Sequence, residues 1–295
     1  MLKFFSLNKQ QLILVGSAAV LIALLVAFGN TIPPAKQNAV KPNAPHQHAD
    51  ASIGSSMLTI DTFVKGGKKS LTTTQLAYIQ KLEADLAKAT APTAGLYSKL
   101  SAFWRDSAKM FEPYAYYNAE AAKLENSEKS LTFAARLLIT DLTEEKDPLR
   151  QNFYAANAKV LFEKALQLNP DNDSSKIGLG LCYMFGRISD NPMEGILPIR
   201  AIAEKNPDNL YAQKVLALGG LQSGQVDKAI ERFNIILAKQ PGNIEILFRL
   251  ADVYEQRHEE PKAIALYTRI KSLGVSADIK RDIDERIAQL KNHQH

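Results

Sequence analysis

The sequence predicts an all-α protein whose C-terminal half is a solenoid of stacked helical hairpins, and three observations carry that reading. The stretch 207–241 is copied by its C-terminal neighbour: Leu216-Ala217 recur as Leu250-Ala251, Ala229 and Phe233 as Ala263 and Tyr267, and Pro207 as Pro241, each 34 residues on. Self-similarity at such a period marks units that cannot bury an apolar face alone and must stack. Small residues at Gly180, Ala217 and Ala251 alternate with large ones at Phe162, Phe233 and Tyr267, which suits close approach inside a hairpin and a filled joint between hairpins. From Thr72 onward, apolar residues recur at three- and four-residue steps, the helical period.

The preceding unit is longer. Pro170 to Pro207 spans 37 residues, and Leu179-Gly180 precede Leu216-Ala217 by the same interval, so a longer turn is expected near Ser189 to Pro192. On these residues the chain resembles the tetratricopeptide repeat (TPR) family, whose pattern is W-x2-L-G-x2-Y, then A-x3-F, then P. Leu179-Gly180-x2-Tyr183 and Leu250-Ala251-x2-Tyr254 match its first half; Ala158-x3-Phe162-x7-Pro170, Ala229-x3-Phe233-x7-Pro241 and Ala263-x3-Tyr267 match its second. The leading Trp is replaced by Lys176, Gln213 and Leu247, and the Tyr of the middle repeat by Gly220.

Taken in order, residues 1–10 are a short basic segment with Lys3 and Lys9. Residues 11–29 contain the uncharged run Leu12 to Phe28, whose length of about 26 Å as a helix suits a bilayer core. A retained transmembrane signal-anchor is expected, oriented with the N-terminus inside by its lysines; a cleaved signal peptide is the alternative, since Ala27-Phe28-Gly29 resembles a cleavage site. The anchor places the rest outside the cytoplasm, in a bacterium as a single-pass inner-membrane protein facing the periplasm. Residues 30–57, with four prolines and almost no large apolar residue, are expected to be a disordered tether. His46-x-His48 here and His293-x-His295 at the other end lack the preset geometry of a metal site.

Residues 58–126 read as N-terminal helices forming a degenerate repeat. Gly66-Gly67-Lys68-Lys69-Ser70 fails as a phosphate loop, because Thr62 stands where glycine is required and Lys69 where Ser or Thr should follow; a turn before the first helix is expected there. The next helices run around Leu76, Ile79, Leu82 and Leu86, then Leu96 to Met110, then Tyr114 to Leu124. Residues 127–170 read as a degenerate TPR, with Ala134-Ala135 in its first helix and a long join from Thr143 to Asn152. Repeats follow at 171–207, 208–241 and 242–275. Residues 276–295 form a capping helix and tail, with Ile279, Ile283, Ile287 and Leu290 as its apolar stripe.

Composition narrows the function classes. The net charge of +5 comes from 36 basic and 31 acidic residues without long single-sign runs, so nothing calls for nucleic acid. The single cysteine, Cys182, excludes an internal disulfide and reads as a buried thiol. No HExxH, GxSxG, CxxC or glycine-rich nucleotide fingerprint is present, and His258-Glu259-Glu260 occupies a repeat turn. No catalytic residue, metal site or cofactor is therefore expected.

The resemblance implies instead a concave groove, lined by the first helix of each repeat, that holds peptides or partner helices. Its positions here are Ile177, Leu181 and Met184, then Lys214, Leu218 and Leu221, then Phe248, Asp252 and Glu255. Such a groove is apolar at its centre and acidic toward the C-terminus. The Asn array with which some relatives clamp a C-terminal carboxylate is missing. The expected function is a membrane-anchored, non-catalytic scaffold binding protein partners in envelope assembly. A soluble chaperone-like protein and a non-catalytic subunit of an enzyme complex are the alternatives, and self-association is a further way to cover the groove.

Overall fold

The fold is seen in a computed structural model that describes residues 58–292. The expected anchor at 11–29, the tether at 30–57 and both histidine pairs lie outside the described residues. Among the described residues there are thirteen α-helices, and none is long and apolar enough to cross a membrane. They are α1 (Ile60–Lys68), α2 (Thr73–Lys88), α3 (Ala94–Ala102), α4 (Phe111–Glu125), α5 (Glu128–Leu138), α6 (Pro148–Leu168) and α7 (Asp173–Phe185). There follow α8 (Met193–Lys205), α9 (Leu210–Gln222), α10 (Val226–Lys239), α11 (Ile244–Gln256), α12 (Glu260–Ser272) and α13 (Ala277–Asn292). A π-helical turn, Phe103–Ser107, extends α3.

The repeat is written into the helix ends. Two residues after Pro170, Pro207 and Pro241 stand Asn172, Asn209 and Asn243, whose side chains accept the amides of Ser175, Ala212 and Ile246 at 2.9, 3.1 and 3.1 Å. Each caps the first helix of a repeat, where the leading N–H groups have no partner inside the helix. Within the hairpins, Arg187, Gly224 and His258 share a left-handed backbone, with φ of 52°, 74° and 55°. His258 is thus a turn residue, as its place in the repeat suggested. Helix α2 opens with a capping box, Thr72 and Gln75 each accepting the other's backbone amide.

Each repeat is a hairpin, α5/α6, α7/α8, α9/α10 and α11/α12, and successive hairpins pack on one another. Small residues set the approach. A Cβ on Gly180 would stand 2.7 Å from the carbonyl oxygen of Gly195, so α7 and α8 touch backbone to backbone. Ala217 and Ala251 are fully buried, as are the joint-filling Phe162 and Phe233, and the ring of Phe162 occupies the space a side chain at Gly178 would need. Apolar burial falls in two large clusters, one from Phe63 to Leu216 and one from Ala217 to Leu290, both touched by the half-buried Phe185, with a smaller cluster around Ile79, Leu100 and Trp104. Helix α13 closes the stack through Ile283 and Leu290, while Ile279, expected in the stripe, is 38% exposed.

Three expectations need correction. Gly66-Gly67-Lys68 is not a turn but the end of α1, since Gly67 packs directly against Met110 and Trp104 and the glycines permit that contact. The turn comes later, at Lys69 and Ser70. The long join in 127–170 occupies 139–147 rather than Thr143 to Asn152, because Asp147 caps α6 and Pro148 takes its first position. Finally, α4 starts at Phe111, with Glu112 and Pro113 inside its first turn.

Two alanine substitutions separate close packing from helix propensity. At Gly195 the new methyl meets the carbonyl of Gly180, whereas at Gly66 it meets nothing within 4 Å. Urea midpoints should show G195A less stable by about 1–3 kcal/mol and G66A more stable by about 0.5–1 kcal/mol.

Candidate functional site

The first helices of the repeats, α5, α7, α9, α11 and the closing α13, are linked side to side by polar bridges. Thr132 and Ser175 hydroxyls meet at 2.8 Å, and Asn172 donates to Glu128. The Arg136 guanidinium lies 5.6 Å from the Tyr211 ring centre, Lys214 pairs with Glu245 at 2.7 Å, and Arg286 pairs with Glu255. These bridges run along one face of the solenoid.

Two clefts open on that face. The larger, about 840 Å³, lies among α5, α7 and α9; Phe133, Leu137, Ile139, Leu181, Val215 and Leu218 supply its apolar lining, with Lys129, Arg136 and Lys214 among its polar groups. The second, about 630 Å³, is lined by Tyr183, Met184, Phe185, Leu221 and Arg249 among others, and shares Leu218 with the first. Thr143 belongs to both. It sits on the segment 139–147, which crosses the face like a strap. Buried Ile139 and Leu142 root the strap in the core, and Glu144 reaches Arg249, more than a hundred residues away, in an ion pair of 2.7 Å. Arg249 also holds Glu245 at 3.0 Å. The Arg249 guanidinium keeps the Glu144 carboxyl below its ordinary pKa.

Of the nine predicted groove residues, Leu181, Lys214 and Leu218 meet in the larger cleft, and Met184, Leu218 and Leu221 in the second. The other four do not line either cleft. Ile177 is 1% exposed, in the same apolar cluster as Leu131 and Leu161. Phe248 packs on Tyr267 with ring centres 6.1 Å apart, and Asp252 accepts the Tyr267 hydroxyl at 3.1 Å. Glu255 is taken by Arg286 of α13. Burial raises the Asp252 pKa; burial also works against Glu255, but Arg286 and Tyr267 prevail and lower it. The expected acidic end of the groove is consequently spoken for, and the open cleft lies nearer the N-terminus among cations.

Sequence reasoning missed Phe133, Lys129, Arg136 and the strap. A signal for α5 existed. With Ala134-Ala135 in the Leu-Gly places, Thr132, Arg136 and Ile139 become the counterparts of Ile177, Leu181 and Met184, and all three line the larger cleft. The strap has no counterpart in the other repeats and left no pattern to extend.

Among the described residues no three His, Cys, Asp or Glu side chains gather closely enough to hold a metal ion. Cys182 is fully buried and its thiol is pushed well above the usual range by desolvation, so the reactive thiolate is disfavoured.

No family model matches the chain. Over 118 residues, 37% of its length, it is 35% identical to interferon-induced protein with tetratricopeptide repeats 2 of Homo sapiens, covering 24% of that protein. Over 111 residues it is 29% identical to interferon-induced protein with tetratricopeptide repeats 3 of Mus musculus, covering 27% of it. The chain thus spans about a quarter of the length of the curated relatives it matches. Among solved structures, MamA 41-end from Desulfovibrio magneticus RS-1 is 20% identical with a TM-score of 0.40, covering 63% of this chain and 97% of that one. A tetratricopeptide repeat protein from Parabacteroides merdae ATCC 43184 is 16% identical with a TM-score of 0.41, covering 77% and 99%. The repeat period, the hairpin packing and the likeness in sequence to tetratricopeptide proteins support one description, an all-α TPR-type solenoid.

The latch on the strap has a definite pH dependence. Because folding lowers the Glu144 pKa, its stabilisation is complete above the ordinary glutamate value of about 4.3 and vanishes as pH falls through the lower folded value. The Glu144 side chain is 61% exposed, so E144Q should cost under about 1 kcal/mol at neutral pH. Urea midpoints of the two proteins should converge on acidification; a gap that persists unchanged at about pH 3 rules out the latch.

Proposed function

We propose that this protein is a non-catalytic scaffold that holds partner proteins on the face formed by the first helices of its TPR-type repeats, with residues 11–29 as its membrane anchor and the repeats on the extracytoplasmic side. One observation carries the binding role. Phe133 is 60% exposed and lines a large apolar cleft with Leu181 and Leu218, and apolar surface of this kind, rimmed by charge, marks an interaction site. The anchor and the envelope role rest on the uncharged run Leu12 to Phe28 with lysines on its N-terminal side. The motif Ala27-Phe28-Gly29 keeps a second reading in play, a cleaved signal and a soluble product.

A photo-crosslinking residue in place of Phe133 should capture a partner protein that the same residue at Val160, exposed on α6 and lining neither cleft, does not. Phe133→Glu should abolish that partner's co-purification while stability changes by less than about 0.5 kcal/mol. Leu181 and Leu218 are poorer places for a charge, being only 6% and 7% exposed. Equal capture from both positions would rule out the cleft as the binding surface.

The anchor is tested separately. The full-length chain should stay in the membrane pellet through alkaline extraction and keep its N-terminal sequence. Release into the supernatant with a new N-terminus near Asn30 would establish the cleaved form.

A further inference from the structure

The larger cleft also specifies what kind of segment it takes. We propose that its occupant is an internal stretch of a partner protein in which carboxylates flank large apolar side chains. This rests on the scaffold reading above and adds the chemical class of the partner.

Charge complementarity is the first argument. Lys129, Arg136 and Lys214 line the cleft against a single carboxylate, Glu128. Glu128 is already engaged, accepting from Thr132 and Asn172. Lys214 is shared with Glu245 in a pair that is a third or more exposed on both sides, where an ion pair contributes little and exchanges readily. Lys129 and Arg136 have no carboxylate partner among the described residues. Arg136 is nevertheless held, its guanidinium over the Tyr211 ring, and a stacked guanidinium keeps its forked donors for a planar carboxylate. An apolar floor with unpaired cations at its edge fits an acidic amphipathic segment and opposes a basic one.

The chain itself supplies the second argument. Its strap, Thr140-Asp141-Leu142-Thr143-Glu144-Glu145, lies on this same face, buries Leu142 completely and sets Glu144 on Arg249. An acidic segment with an apolar anchor is therefore what the face already accepts in cis. A nucleic acid also carries negative charge, but it offers no aliphatic side chain to cover the exposed Phe133 and half-buried Leu137, and the strap carboxylates oppose a phosphate chain.

The test is fluorescence anisotropy with the full chain in detergent. The probes are an acetylated, amidated dodecapeptide in which Asp and Glu surround two Phe-Leu pairs, the same peptide with Lys at every acidic position, and a single-stranded RNA dodecamer. Amidation removes any contribution from a terminal carboxylate. The acidic peptide should bind at least about tenfold more tightly than the Lys peptide and more tightly than the RNA. Its affinity should fall by about tenfold or more in R136E and in K129E, partly recover in R136K, and stay unchanged in K228E, a charge on α10 away from both clefts. Thermal melts report whether each variant is folded. Equal or tighter binding of the Lys peptide, tighter binding of the RNA, or indifference of the acidic peptide to R136E overturns the proposal. If position 133 captures a protein while the acidic probe is not preferred, the scaffold reading stands and the acidic class falls; if neither holds, both fall.

Discussion

Everything in this molecule depends on how closely paired helices can approach. Where α7 meets α8 the contact is glycine on glycine, and the carbonyl of each residue stands where a side chain would have to go. Further along, Ala217 and Ala251 do the same with a methyl group and are buried completely. A hairpin built this way has no inside of its own, so its large residues, Phe162 and Phe233 among them, find cover only in the neighbouring unit. The result is a pair of large apolar clusters that meet at Phe185, ended by a helix that is polar on its outer side.

The same geometry leaves a surface. Burying the seams turns one side of each first helix toward solvent, and neighbouring first helices are then close enough for side chains to bridge them, as Lys214 does with Glu245 and Arg136 with Tyr211. The face formed by the first helices is thus partly consumed by its own bridges. What stays open is set by where the bridges fail: Asp252 and Glu255 are satisfied by Tyr267 and Arg286, whereas Lys129 and Arg136 are not matched by acids among the described residues. The strap subdivides the remainder and occupies Arg249 through Glu144.

Legibility in the sequence followed the degree of repetition. Between Pro170 and Leu273 the units are near copies, and the assignments of Gly180, Ala217, Ala251, Phe162 and Phe233 to seams and joints agree with their burial. Groove residues were harder, because the repeat locates a helix face without saying what the next helix brings. Ile177 had the right register and is buried nonetheless, and Glu255 had the right register but meets Arg286 from a helix outside the repeats. Arg136 was within reach by carrying the Ala134-Ala135 register one unit back. The strap was not, since an insertion has no copy from which to infer its path.

By itself, then, the sequence determined the helical hairpin, its period and the residues at its seams, because these arise from local periodicity, capping and the size of single side chains. It also determined the uncharged run from Leu12 to Phe28, on which any membrane role rests. Only the tertiary structure decided which part of the first-helix face is open, which charges on it lack partners among the described residues, and that residues 139–147 lie across it. Those features depend on contacts between groups far apart in the chain, Glu144 with Arg249 above all, and no local pattern encodes the distance between them.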